Sequence, residues 1–318
     1  MIIKGMINAT GILLFSLTFC VAAEPYAFIT NQLGDSVSVI DTAQAKVIST
    51  IPVSGKPAGV TVSQDGQRVY ISTPEAKGIA VLDAVNHKLL AQFPVSSGAL
   101  GITVDKTGHL IFVADWFNNS VAVIAADTFK VINTLPVGKS PSGMVVSSDN
   151  KWLFVANRLD NSVSQIDMET MRIRNTTKVG EHPFGLTLDT KDERLYVANV
   201  ESDDVTVLDA QHLKRLQTIK VKTLPYAVTL ALNDSRLFVT NQDDSSVSVI
   251  DTQAMQEIAV IEVGDKPEGI STHPNDRWVY VANWFDNNVS VIDAKTLQVI
   301  DTIEAGEGSR AFGQFISR

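Results

Sequence analysis

The feature that most constrains this chain is a period of 42 residues that never slips. Aligning on the residue that ends each "YVAN"-like run gives Asn31, Thr73, Asp115, Asn157, Asn199, Asn241 and Asn283. A second column, ten residues later, reads Asp41, Asp83, Ala125, Asp167, Asp209, Asp251 and Asp293. A third reads Pro57, Ala99, Pro141, Pro183, Pro225, Pro267 and Ser309. Seven copies without an insertion or deletion mean seven equivalent units that bury their apolar faces against one another.

Each unit reads as four short strands. In the fifth these are "FGLTLD" (Phe184–Asp189), "RLYVAN" (Arg194–Asn199), "DVTVLD" (Asp204–Asp209) and "RLQTIKV" (Arg215–Val221). The runs are rich in β-branched residues and bounded by turn formers, and no helical period is sustained anywhere. Four strands of about six residues with short turns fill a unit of this length. The sequence therefore predicts an all-β fold, a seven-bladed β-propeller with four antiparallel strands per blade. Runs such as "LYVA" are apolar on both faces, as a blade sandwiched between two others requires.

The columns have physical readings. Asn, Thr or Asp after the second strand is expected to bond its own backbone and start the turn. Gly59, Gly101, Gly143, Gly185 and Gly269 fall where innermost strands crowd the axis. The last copy stops after "SRAFGQFISR" (Ser309–Arg318), which corresponds to an innermost strand, and "YAFITN" (Tyr26–Asn31) corresponds to a second strand. The two ends should thus complete one blade, three strands from the N-terminus and one from the C-terminus, leaving no open edge.

The runs "LYVAN", "VYVANW" and "VSVIDT", followed by "VGDKPEG", resemble the YVTN β-propeller repeat family over essentially all of Glu24–Arg318. The resemblance implies the fold and leaves the function open. Relatives in the wider superfamily are secreted binding proteins, subunits of quinoprotein amine dehydrogenases, haem d1-binding domains and propeller lactonases. No catalytic motif of theirs transfers to positions of this sequence.

The first 23 residues differ from the repeats. Lys4 is their one charge, and "GILLFSLTFCVAA" (Gly11–Ala23) ends on small residues. This is the pattern of a secretory signal cleaved before Glu24, with Val21 and Ala23 at the −3 and −1 positions. An apolar run of about 13 residues is too short to span a bilayer. Bulky Phe19 before Cys20 disfavours a lipid anchor. The expectation is a periplasmic or secreted protein made of one propeller domain over 24–318, with no membrane span after cleavage. Cys20 is the only cysteine, so the mature chain has no disulfide, thiolate nucleophile or cysteine metal ligand. A net charge of −9 argues against general nucleic-acid binding.

Two loops stand out. "ADWFNNSVAVIA" and "ANWFDNNVSVID" place Trp116-Phe117 and Trp284-Phe285 after the second strand of copies three and seven, four periods apart. On a regular ring they lie nearly opposite each other, on the face that also carries the Pro-x-Gly crossings. The other copies have more polar residues there. Large aromatics in such loops are either candidate anchors for a protein partner or a small ligand, or a local cap folded down over the neighbouring loops. After the proline column come Ala58, Leu100, Ser142, Phe184, Tyr226, Glu268 and Arg310, expected at the channel mouth, with Glu268 and Arg310 paired across adjacent blades. His182 is the one histidine expected on this face. It is either a solvated loop residue or, on the sharper reading, an axial haem ligand or general base. Asp160, Glu201, Asp203, Asp204, Asp243, Asp244 and Asp286 cluster in the loops, either as turn formers and solubilising charges or to attract a cation or a basic partner.

No EF-hand spacing, HExxH, GxSxG, phosphate loop or Cys-x-x-Cys-His occurs. The main reading is a non-catalytic, monomeric binding or scaffold protein that uses Trp116, Phe117, Trp284, Phe285, His182, Phe184, Tyr226, Glu268 and Arg310. No metal, catalytic residue or cofactor of its own is expected. The second reading is a component of a periplasmic oxidoreductase system, haem-binding or associated with a quinoprotein. The third is a propeller lactonase.

Overall fold

Alternating β-branched and aromatic residues give each repeat a pleated surface, and the turn formers between them stop every strand after three to seven residues. The computed structural model describes residues 25–317, so the expected signal segment lies outside the described residues. Five blades are complete four-stranded antiparallel sheets. These are blade three (Ala99–Pro136), four (Pro141–Lys178), five (Pro183–Lys220), six (Pro225–Glu262) and seven (Pro267–Glu304). Blade two (Gly59–Pro94) and the three N-terminal strands of blade one (Tyr26–Pro52) share the C-terminal segment. The architecture is the seven-bladed propeller.

Ring closure follows the expected plan, with one refinement. The C-terminal segment runs antiparallel to Tyr26–Asn31, bridging at Asn31 with Ser309 and at Ala27 with Ile316. The Phe28 N–H donates to the Phe315 carbonyl at 2.9 Å, and the Arg310 N–H donates to the Thr30 carbonyl at 2.8 Å. Between those bridges, Phe312–Gln314 swings out and pairs in parallel with Gly59–Val62 of blade two. The stretch Ser309–Ile316 therefore fastens blade one to blade two, and Phe315 and Ile316 are buried in the shared core.

The glycine column is explained by the neighbouring blade. A Cβ on Gly101 would lie 1.8 Å from the Ser142 carbonyl oxygen, and one on Gly269 would lie 2.2 Å from that of Ala311. The Pro-x-Gly segment bulges out of register with the second strand, as between Pro141 and Met144, and presses its backbone on the next blade. Hydroxyls bond across these seams: Thr30 to the Ala58 carbonyl at 2.8 Å and Ser72 to that of Leu100 at 2.6 Å.

The asparagine column does something other than the turn bonding read from the sequence. Asn31, Asn157, Asn199, Asn241 and Asn283 are fully buried. Each donates through its amide to the third strand, as Asn157 does to Ser162 and Ser164 at 3.2 and 2.9 Å. The carbonyl oxygens of Asn31 and Asn157 accept the N–H of Gly306 and Gly138 from the adjoining crossing. Only a buried amide supplies two donors and an acceptor in that space. Asp115 keeps the expected role, accepting the Phe117 and Asn118 N–H groups at 3.1 Å.

The outermost strands are the exposed edges. Every one carries a β-bulge at the same place. Lys46, Lys88 and Lys130 open three of them and Pro52, Pro94 and Pro136 close the same three. Bulges, lysines and prolines all discourage edge-to-edge pairing.

Candidate functional site

The blade crossings and the loops after the second strands share one face, tied by backbone bonds such as Trp116 N–H to the Gly98 carbonyl and Trp284 N–H to that of Lys266, both 3.0 Å. Adjacent blades are latched at the same level. Asp35, Asn119, Asn161, Asp203 and Asn287 accept the N–H of Lys56, Ser140, His182, Leu224 and Gly308. Asp160 and Asp286 likewise accept backbone N–H groups, of Lys139 and Asp265. Much of the acidic cluster is therefore turn chemistry.

On this face the channel is stoppered. Phe184 lies 4.0 Å from Tyr226 and 4.7 Å from Phe312, ring centre to ring centre, and Trp116 lies 6.2 Å from Phe184. Beside the aromatics, Arg310 Nε lies 2.5 Å from Glu268 Oε2, and an Arg310 guanidinium N–H donates to the Tyr226 hydroxyl at 2.7 Å. The Gln242 amide donates to the other Glu268 oxygen at 2.6 Å. Burial pushes the Tyr226 phenol well above its ordinary range, and burial also raises the Glu268 carboxyl against the attraction of Arg310. The Glu268–Arg310 pairing across adjacent blades is as expected. These groups do not form an open mouth; they fill it.

The nine candidate residues thus divide. Trp116, Phe184, Tyr226, Glu268 and Arg310 meet in the stopper, where the Arg158 guanidinium lies 5.3 Å over the Trp116 ring. Trp284 packs against Phe285 with ring centres 4.7 Å apart and planes tilted by 37°, and its indole N–H is buried with no acceptor among the described residues. Phe117 and Phe285 point outward, 71% and 52% exposed. His182 sits in the left-handed region, with Nδ1 3.5 Å from a Glu201 carboxylate oxygen. Two residues passed over in the sequence occupy the same column as the phenylalanines: Leu33 and Leu159, 53% and 51% exposed. The other three copies place Glu75, Glu201 and Asp243 there. The face therefore carries two apolar ledges, blades seven and one, and blades three and four, separated by acidic loops. Reading that column for size as well as polarity would have found them.

The other end of the channel is open. A cavity of about 500 Å³ runs from the stopper to the opposite face. Phe312, Gly143, Gly185 and Ala227 lie at its closed end, and the turns carrying Asp105, Ser148 and Asp189 lie at its mouth. Those turns are latched as well, with the Ser148 and Thr190 N–H groups donating to Asp192 and Asp234 of the next blades. Among the described residues no group of three or more His, Cys, Asp or Glu side chains is placed to share a metal ion. No helix among them is long and apolar enough to cross a membrane.

Three family models match separate stretches: Lactonase, 7-bladed beta-propeller, at residues 118–212; YNCE-like beta-propeller at 16–104; and Cytochrome D1 heme domain at 226–311. No curated protein matches the chain. Among solved structures, hydrazine synthase of Kuenenia stuttgartiensis is similar with a TM-score of 0.73 and 18% identity, over 80% of this chain and 88% of that one. A functionally unknown protein of Desulfotomaculum acetoxidans gives 0.79 and 13%, over 90% and 97%. The dihydro-heme d1 dehydrogenase NirN in complex with DHE gives 0.68 and 14%, over 91% and 75%. At these identities the likeness is one of fold. Sequence models and structure agree on one conclusion: the chain belongs among the β-propellers and has seven blades.

Proposed function

We propose that this protein is an exported, non-catalytic binding scaffold of the YVTN type that docks a protein partner through the face bearing the Trp-Phe loops. The observation that carries the reading is the exposure of Phe117 and Phe285, the latter packed against half-buried Trp284, with Leu159 and Leu33 exposed at the same position of the neighbouring blades. Five copies do without an aromatic pair there, so the blades do not need them. Contiguous exposed apolar side chains rimmed by charge are what an interface core requires. The test pairs Phe117→Ala with Phe285→Ala. Removing such anchors typically costs about 2 kcal/mol or more of binding and about 0.5 kcal/mol or less of stability. Proteins that co-purify with the wild type from its native host should be lost from the double variant while its melting curve is unchanged. A variant that keeps every partner would sink the reading.

The Cytochrome D1 heme domain match over 226–311 motivates a second reading, a haem-associated propeller. Axial haem ligands are His, Cys, Met or Tyr. Among the described residues the cavity lining contains no His or Cys; Met144 is its one thioether. Tyr226 is held by Arg310, and His182 faces Glu201 on the rim. These residues do not fit a haem ligated by imidazole in the channel. An absorption spectrum of the protein from its native host decides: a Soret band would establish haem association against this donor set. The lactonase reading rests on the match at 118–212, and lactone turnover tests it.

A further inference from the structure

The channel wall carries its own pattern. Halfway along, the innermost strands present Thr61, Thr103, Val145, Thr187 and Thr229 in successive blades, and the closing strand presents Gln314. Among the described residues, the hydroxyls of Thr61, Thr103 and Thr187 make no hydrogen bond within the protein, whereas Thr229 bonds Thr272 at 3.0 Å and the Gln314 amide donates to Ser271 at 2.9 Å. The innermost strands of blades three to seven are sheet edges, so backbone groups on their channel side add further donors and acceptors. Phe312 lies at the closed end. At the mouth, Asp189 takes the Glu193 and Arg194 N–H groups on Oδ1 at 2.7 and 3.2 Å, and its Oδ2 has no partner among the described residues.

We propose that this channel is a binding site for a neutral, polyhydroxylated ring molecule of monosaccharide size, entering from the face opposite the Trp-Phe loops and held by Thr61, Thr103, Thr187 and Gln314. Several arguments select that chemistry. A volume of about 500 Å³ lies within the range of small-molecule sites. An apolar ligand would strip water from three hydroxyls and the strand edges and give nothing back, a penalty that disfavours it strongly. A charged ligand finds no unpaired counter-ion on the wall at the level of the threonines. A threading polymer is stopped by Phe312 and the rings behind it. Hydroxyls spaced around a ring answer hydroxyls spaced around a ligand, with an aromatic ring at the floor. The site lies on the other side of the stopper from the loop-face ledges, so either reading can fail alone.

Saturation-transfer NMR on the full chain tests this, with myo-inositol and D-glucose as probes and cyclohexanol as the apolar ring of similar size. Transfer should reach at least one of the two polyols and not cyclohexanol. Thr103→Val with Thr187→Val should weaken that binding about tenfold or more. Val145→Phe, which narrows the channel without touching a hydroxyl, should abolish it, and serves if the threonine variant fails to fold. No transfer to either polyol, equal transfer to cyclohexanol, or polyol transfer that survives the variants overturns the proposal and leaves a channel that holds only water.

Discussion

The two ends of the channel are built from the same seven copies, yet one is sealed and the other open. At the sealed end, the proline column is followed by Ala58, Leu100 and Ser142 in the early copies and by Phe184, Tyr226, Glu268 and Arg310 in the later ones. These later side chains turn inward and bury one another. At the open end, the innermost strands of blades two to five lead into Ser63, Asp105, Ser147 and Asp189, short side chains that bond their own turns. A repeat sets where a residue sits. The size and charge of that residue decide whether the axis is a core or a passage. The Trp-Phe loops teach the same lesson on a smaller scale: Trp116 packs against the stopper, whereas among the described residues Trp284 has only Phe285 as its aromatic neighbour.

The contrast can be broken most severely by deleting Ser309–Arg318. The deletion removes Arg310 and Phe312 from the stopper and unfastens blade one, exposing the edge of Tyr26–Asn31. The expected outcome is loss of soluble folded protein. A soluble truncation with an unchanged thermal midpoint would show that the segment does not close the ring.

A smaller effect separates the two ends directly. Glu268→Ala leaves Arg310 buried without its carboxylate, which should cost about 3–5 kcal/mol. Glu268→Leu with Arg310→Met removes both charges together and should fall much closer to the wild type, because replacing a buried pair with apolar groups is often neutral. Ser148→Ala, which deletes a hydroxyl bond to Asp192 at the open end, should cost about 0.5 kcal/mol. Denaturant melts of the three variants check the order. Equal losses for Glu268→Ala and Ser148→Ala would refute the idea of a sealed core at one end only.

The smallest expected effect is in acid. The Asn86 amide, the Thr170 N–H, the Ala254 N–H and the Arg277 guanidinium hold the carboxyls of Asp83, Asp167, Asp251 and Asp293 below their ordinary range. All four sit in turns of the open face. A carboxyl depressed in the folded state contributes stability above its unfolded pKa, near about 3.9, and loses it as pH falls through the folded value. On the loop face the Lys56 N–H and ammonium hold the Asp35 carboxyl down in the same way, but that face is also latched by Asn119, Asn161 and Asn287, which do not titrate. Between about pH 4 and pH 2, amide exchange should therefore quicken first in the Asp turns of the open face. Simultaneous loss of protection at both faces would contradict that order.

Much of the site was half legible. The size of Phe184 and Tyr226 and the charges of Glu268 and Arg310 were visible in their column, and so was their shared level on the axis. Phe312 could have been read as the outsized member of the column Val60, Ile102, Met144, Leu186, Val228 and Ile270. The involvement of Arg158 and Gln242 could not, because both reach the stopper from second-strand loops whose side-chain direction depends on the crossing beside them. The role of the asparagine column was misread for a related reason. Its residue type fits a turn and a buried clamp equally well, and burial alone distinguishes them.

By itself the sequence determined the period, the four strands per unit, the number of blades, the ring closed by both termini and the crowding at each glycine. These follow from local rules, alternation, turn chemistry and the missing Cβ, applied seven times in the same register. Only the tertiary structure decided that the channel is stoppered at the loop face and open at the other. Only it showed that Phe117 and Phe285 are exposed while their tryptophans are half-buried, and that Phe312–Gln314 leaves blade one to pair with blade two. Those outcomes depend on side chains from six blades competing for one axis, and a repeat that is strict in spacing does not dictate which of its variable residues fills that space.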